Sequence, residues 1–298
     1  MKEIKFIKDL EKMIPCKKGI IKGIGDDTAV LPFTKDKYLL YASDMIVEDV
    51  HFKADDAPEK IGWKAVAVNI SDIAAMAGVP KYVTVSAGLT KNKSLSYRKR
   101  IFNGIKKICD KFNVTIVGGD TCASEKMVID VSIIGEVDKK KVVYRSGAKL
   151  GDIVFITGVL GYGKEKHLSF IPKLKESQVL SSKFKINSMM DISDGLYMDM
   201  TRLCAASKKG CLLYKDKIPV SRKPNSFDDA CSYGEDFELL FTVGKIEAGK
   251  IEKYLSENNK IKVYNIGEIL EEKHGLWMVE RSGKKTKIKP KGYEHIKR

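Results

Sequence analysis

Several kinds of chemistry are excluded by what is missing. The six cysteines (Cys16, Cys109, Cys122, Cys204, Cys211 and Cys231) form no C-x-x-C pair, and the four histidines have no zinc-like spacing. Neither a thiol redox motif nor a Cys/His metal site is therefore expected. No stretch approaches the ~18 to 20 apolar residues of a membrane helix. The N-terminus, MKEIKFIKDLEKMI, interleaves charge with Ile4, Ile7, Leu10 and Ile14, which is the spacing of an amphipathic helix and not of a signal peptide. These absences predict a cytoplasmic chain with reduced, mostly packing thiols and no membrane partner. The G-x-x-x-x-G-K-[ST] loop and the protein-kinase motifs are absent too, so any phosphoryl transfer here uses neither. No Ser, Cys or His stands in a recognisable triad context.

What is present suits a globular protein of two ordinary domains, with 298 residues and 43% hydrophobic content. The net charge of +15 comes from lysines spread between every motif, as in DKKKVVYR and KGYEHIKR. It reads as a solvated surface, with no specific nucleic-acid partner expected.

The informative residues are carboxylates inside apolar segments, where an unpaired charge costs several kcal/mol. GIGDDTAVL carries Asp26 and Asp27, and KYLLYASD reads as a strand delivering Asp44 at its end. EKIGWKAVAVNISDIAAMAGVP has helical spacing and a Gly78/Pro80 stop, with Asn69 and Asp72 on one face. After the strand KYVTVSAGL and the helix SLSYRKRIFNGIKKICDKF, the strand VTIVGGD ends at Asp120, and MVIDVSIIGEV alternates like a strand. The lysine-rich DKKKVVYRSGAKLGD is the best domain boundary, dividing the chain into 1–147 and 148–298. The second half opens with the strand DIVFITG. SMMDISDGLYMDMTRLCAAS then gives a short strand, Asp191, Asp194 and a helix. CSYGEDFELLFTV, KVYNIGEIL and GLWMVER add a Gly-Glu-Asp turn and three strands, an α+β pattern following an α/β one.

Strand ends in open α/β folds converge on a ligand crevice. If Asp27, Asp44, Asp72, Asp120, Asp191 and Asp194 met there, each pair at ~4 Å would repel by about 4 kcal/mol at an effective dielectric of ~20. Either they stay apart as capping and turn residues, or cations bind between them. Oxygen-only ligation points to Mg2+ or Mn2+ and to phosphate chemistry.

In this order, GIGDDTAVL, SDMIVEDVHF, WKAVAVNISDIAAMAGVP, VGGDT, YRSGAKLGD, MMDISDGL and GEDFELLFTV resemble the thiamine-monophosphate kinase family, from about Gly23 to Phe241. KGYEHI resembles its C-terminal signature. The wider superfamily includes aminoimidazole ribonucleotide synthetase, selenophosphate synthetase and a hydrogenase maturation factor. The resemblance implies the two-domain aminoimidazole ribonucleotide synthetase-like fold, in a homodimer whose N-terminal mixed sheets form a shared barrel. The C-terminal α+β domain would complete the active site. The implied reaction is ATP-dependent phosphorylation of thiamine monophosphate to thiamine diphosphate. By motif, Asp27, Asp44, Asp72, Asp120, Asp191 and Asp194 would hold Mg2+, with Ser43 assisting. Gly119, Asp120, Arg145 and Ser193 would meet ATP, and His51, Glu235 and Tyr293 the thiamine phosphate. Asp72, Asp194 and Arg145 would be catalytic.

The sequence departs from the family pattern at Ala42, Phe102, the TCAS after Asp120, and Tyr233, and its 162–188 segment is shorter. These departures keep two alternatives open: a superfamily member acting on another substrate, or a nucleotide-binding relic.

Overall fold

The computed structural model describes residues 2–222, 224–258 and 261–293. The Glu294, His295 and Ile296 of the C-terminal signature, and the side chain of Ile4, lie outside the described residues. The first half contains α1 (Lys2–Met13), β1 (Ala29–Pro32), β2 (Lys37–Val47), α2 (Pro58–Ala75), β3 (Val79–Thr90), α3 (Leu95–Phe112), β4 (Thr115–Ser124) and β5 (Val128–Asp138). Its mixed sheet has the order β1-β2-β5-β3-β4, with only the β3/β4 pair parallel.

β5 alternates because one sheet face is covered. Ile129, Val131 and Ile133 are buried beneath α2 and α3, whereas Asp130 and Ser132 look out from the other face. α2 starts with Pro58 in its first turn and is buried on nearly all sides, packing on α3, on the sheet and on the second half. Glycine lets the two helices touch: a Cβ on Gly62 would lie 2.0 Å from the Ile101 carbonyl oxygen, and one on Gly104 2.0 Å from that of Glu59.

The second half contains β6 (Ile153–Thr157), α4 (Gly163–Lys166), α5 (Leu174–Lys183), β7 (Ile186–Asp191), α6 (Leu196–Ser207), β8 (Lys209–Tyr214), α7 (Phe227–Ser232), β9 (Leu239–Val243), α8 (Lys245–Glu257), β10 (Val263–Glu271), β11 (Leu276–Val279) and β12 (Lys285–Lys287). Its sheet order is β12-β11-β8-β10-β6-β9-β7. β9 reads LLFTV and is buried throughout, as a strand covered on both faces must be. α5 and β7 pack against α2, which thereby becomes the shared wall between the two sheets.

Two local expectations change. β2 continues three residues past Asp44, and β4 runs on to Ser124, so Asp44 and Asp120 lie within strands and not at their ends. The polar stretch after Tyr162 contains the helix α5. Among the described residues, no helix is long and apolar enough to cross a membrane.

Candidate active site

α2, the turn before β1 and the end of β7 bring three carboxylates together. Asp27, Asp72 and Asp191 each offer an oxygen, and these oxygens lie within 4.8 Å of one another. Arg145, from the segment joining the two sheets, forks onto Asp27 Oδ1, with Nε at 3.1 Å and an Nη at 2.6 Å. The side chain of Asp27 is completely buried. Asp26 braces the turn, its Oδ1 accepting the backbone N–H of Asp27 and of Arg145. Ser71 Oγ donates to Asp191 at 2.6 Å, and the Asn69 side-chain oxygen accepts the Asp44 N–H at 3.1 Å.

Crowding shapes the electrostatics of the cluster. Burial, then Asp44 and Asp191, raise the Asp72 carboxyl well above the usual range; burial, then Asp27, do the same to Asp191. Asp44 is reached by solvent, yet it sits among packed atoms at the base of a cleft. That enclosure, with Asp194, Asp130 and Asp27, raises it to about 6. Burial and Asp27 bring Asp26 to about 6 as well. Burial opposes the charge of Arg145, but Asp27, Asp26 and Asp191 outweigh it and hold the guanidinium protonated. The cluster therefore binds protons readily when nothing else neutralises it.

A divalent cation suits this site. Asp27 Oδ2 is buried without a hydrogen-bond partner among the described residues, beside two further carboxylates and no thiol or imidazole. An orphaned anionic acceptor among hard oxygen donors fits Mg2+ chemistry.

Asp194 lies one turn away, before α6. Arg202 contacts its carboxylate and lies 3.0 Å from Asp199, whose Oδ2 accepts the Asp194 N–H. Burial and Asp194 raise Asp199 to about 7. Arg202 was not expected from the sequence. Its available signal was the three-residue spacing from Asp199, common on helix surfaces.

Two adjoining cavities share Asp44, Ser193 and Phe237. One, of about 480 Å3, contains Asp26, Asp27, Asp72, Asp191, Arg145 and Ser43. The other, of about 740 Å3, is lined by His51, Lys64, Asp194, Glu235 and Tyr293, with Met45, Val47, Val50 and Val68 as its apolar wall. That is the size and character of a small-molecule site. His51, Glu235 and Tyr293, which are far apart in sequence, thus meet in one cavity. His51 Nδ1 accepts the Val47 N–H at 3.0 Å, so the neutral ring carries its proton on Nε2. The Tyr293 N–H donates to the Asp194 carbonyl at 3.1 Å, bringing Tyr293 to the cavity. Glu235 and Phe237 have φ of 59° and 50°, uncommon for residues bearing a Cβ and frequent at functional turns. Phe237 stacks on Phe170, centroids 4.0 Å apart.

Two other predicted residues lie elsewhere. Gly119 and Asp120 are exposed on the edge strand β4 and line neither cavity. Gly119 has a packing reason of its own, since a Cβ there would fall 1.8 Å from the Val85 carbonyl oxygen. Ser43 donates to Asp130 Oδ1 at 3.1 Å on the open sheet face, where Asp130 and Asp120 both pair with Ser86. Among the departures, Ala42 and Tyr233 line the cavities, whereas Phe102 sits on α3 away from both.

Comparison with known proteins agrees with this geometry. The model for the AIR synthase related protein N-terminal domain matches residues 25–137, and that for its C-terminal domain residues 165–278. Thiamine-monophosphate kinases of Buchnera aphidicola subsp. Acyrthosiphon pisum and of Aquifex aeolicus are each 33% identical; the alignments cover 93% of both chains for the first, and 92% of this chain and 93% of the other for the second. The solved structure of AaThiL complexed with AMPPCP and TMP superposes with a TM-score of 0.85 at 32% identity, over 99% of this chain and 98% of that one. A hydrogenase maturation protein HypE in complex with ATP, at 19% identity and a TM-score of 0.72, covers 99% of this chain and 96% of its own and shares the fold alone. With its two-domain fold of mixed sheets and helices, the chain belongs to the AIR synthase related proteins and, within them, to the thiamine-monophosphate kinase family.

Proposed function

We propose that this chain transfers the γ-phosphoryl group of ATP to thiamine monophosphate, giving ADP and thiamine diphosphate, with its own side chains in the following roles. The observation that carries the reading is the junction of the two cavities. A cavity large enough for a small organic phosphate, walled by His51, Glu235 and Tyr293, opens at Asp44 and Ser193 onto the carboxylate cluster. Asp27, Asp72 and Asp191, with Asp44 and Asp194 beside them, would hold Mg2+, which when bound neutralises the phosphates that must approach each other. Asp120 and Asp130 on the open sheet face would meet the nucleotide side, with Gly119 and Ser43.

A phosphate monoester's second pKa is ~6, so the acceptor is largely ionised near neutral pH and needs little help from a general base. One acceptor oxygen attacks the γ-phosphorus while the bond to the β-phosphate oxygen breaks and ADP departs. Arg145 holds Asp27 in place and adds positive charge beside the reacting groups. Ser193 lies where the cavities meet and would contact the nucleotide.

We further take residues 1–147 as the nucleotide and dimerisation domain and 148–298 as the domain that completes the site. The open face of the first sheet leaves Tyr41, Met45 and Tyr82 between 43% and 53% exposed. A second copy covering that face as a shared barrel would bury them. Incubation with Mg-ATP and thiamine monophosphate should give ADP and thiamine diphosphate in equal amounts. ATP binding without that product would refute the reading.

A further inference from the structure

Lys64 is a charged residue in the middle of α2, yet only 1% exposed. Its ammonium has three protons and three acceptors: the His51 carbonyl at 2.9 Å, His167 Nδ1 at 2.9 Å, and Glu235 Oε1. An ammonium only donates, so His167 Nδ1 accepts, which leaves that ring neutral with its proton on Nε2. His167 Nδ1 and the other Glu235 oxygen lie 3.2 Å apart, two acceptors gathered around the same ammonium and not bonded to each other. Three chain segments are thereby locked to α2: the loop after β2, the end of α4, and the turn between α7 and β9. Two of them carry His51 and Glu235 on the cavity wall, and Lys64 itself lines that cavity.

The surroundings fix the same arrangement. The Glu235 N–H donates to the Ser193 carbonyl at 2.7 Å. Asp236 Oδ1 accepts the N–H groups of Gly161, Tyr162 and Gly163, tying the His167 strap to the same turn. Trp63, next to Lys64, donates its indole N–H to the Phe170 carbonyl at 2.8 Å. Glu235 is left about one-third exposed, toward the cavity. A carboxylate neutralised by an ammonium behind it presents its remaining lone pairs in fixed directions, which favours a ligand with correctly placed donors over any cation.

We propose that Lys64 and His167 are positioning residues for the phosphoryl acceptor: they hold Glu235 and His51 in one arrangement and so set its affinity, without touching the transferred phosphate. This rests on the cavity being the thiamine monophosphate site. The test is steady-state kinetics of Lys64→Met, Lys64→Arg, His167→Ala, Glu235→Gln and the Lys64→Met/Glu235→Gln double variant. Lys64→Met should raise the KM for thiamine monophosphate about ten-fold or more, with kcat and the KM for ATP within about three-fold. Lys64→Arg should recover part of that loss. The double variant should be no worse than its worse parent, because the pair acts as a unit. An unchanged KM, a collapse of kcat at constant KM, or multiplying losses in the double variant would each overturn the proposal. If Lys64→Met does not fold, His167→Ala, whose ring is partly exposed, carries the same readout. If the wild-type chain makes no thiamine diphosphate, the functional reading fails by itself, and calorimetric titration with thiamine monophosphate decides the positioning claim. About ten-fold tighter binding by wild type than by Lys64→Met supports it, and equal or absent binding overturns it.

Discussion

Replacing Asp72 by Asn should make the protein more stable and catalytically dead. Two full charges separated by the 4.8 Å that bounds the Asp27, Asp72 and Asp191 oxygens repel by about 3 to 4 kcal/mol at an effective dielectric of ~20. Asp72 has two such neighbours, so its charge alone would cost a fully ionised cluster about 7 kcal/mol, comparable with a domain's total stability of roughly 5 to 15 kcal/mol. The protein escapes most of this by proton uptake, since burial and the neighbouring carboxylates raise the Asp72 carboxyl well above its ordinary value. The net relief should then be about 1 to 3 kcal/mol near neutral pH, roughly 3 to 8 °C in Tm. Its sign follows from the direction of the shift. The native carboxyl keeps its proton where the unfolded chain has lost it, so charging Asp72 destabilises the fold increasingly as pH rises. Without metal, the advantage of Asp72→Asn should be smallest in acid and grow toward alkaline pH. Adding Mg2+ should reverse the ranking, because a cation takes the place of the protons in wild type and finds one carboxylate fewer in the variant. Thermal melts across pH with and without Mg2+, beside turnover measurements, test all of this; turnover should fall at least about 100-fold. A variant less stable than wild type at every pH without metal, or equal Mg2+ stabilisation of both proteins, would refute the reasoning.

Three further outcomes follow from the same geometry. Arg145→Met leaves the fully buried Asp27 uncompensated and should cost about 3 to 5 kcal/mol in urea unfolding, with most of it restored by adding Asp27→Asn; additive losses would contradict this pairing. Burial raises Asp236 to about 7 despite three backbone N–H donors, so wild-type stability relative to Asp236→Asn should decline from about pH 4 to pH 7, by a few kcal/mol at most; a flat difference would show that this carboxyl titrates normally. His51→Ala should raise the KM for thiamine monophosphate about ten-fold with kcat nearly kept, and a selective loss of kcat would move His51 into the chemical step.

The fold and the carboxylates were readable from the sequence where a residue contradicted its surroundings. Asp27, Asp72 and Asp191 stand in apolar runs, and the structure places them together. Asp120 fits the same verbal pattern, yet it lies exposed on β4, because Ala123 and Ser124 continue the parallel pairing with β3 past the expected end. Strand ends are set by neighbours as much as by local propensity. α5 was hidden because LKESQVLSSK has only a weak apolar stripe and gains its stability from packing on α2. α8 carries Gly249 in its middle, and that weakens the local signal. Lys64 escaped for a different reason: a single lysine in WKAVAVNI reads as a solvent-facing position, and two of its three acceptors come from residues 103 and 171 positions away. Among buried ionisable groups, the carboxylates reveal themselves by clustering in motifs, whereas a lone buried cation is recognised only when its partners are known.

The central claim is a single direct transfer at the junction of the two cavities. A single-turnover reaction of the full chain with γ-labelled ATP, Mg2+ and thiamine monophosphate tests it most directly. The account predicts that the label appears in the terminal phosphate of thiamine diphosphate, in step with ADP, with none trapped on the protein at any time or with ATP alone. A labelled phosphoenzyme that forms before product, or label released only as inorganic phosphate, would contradict it.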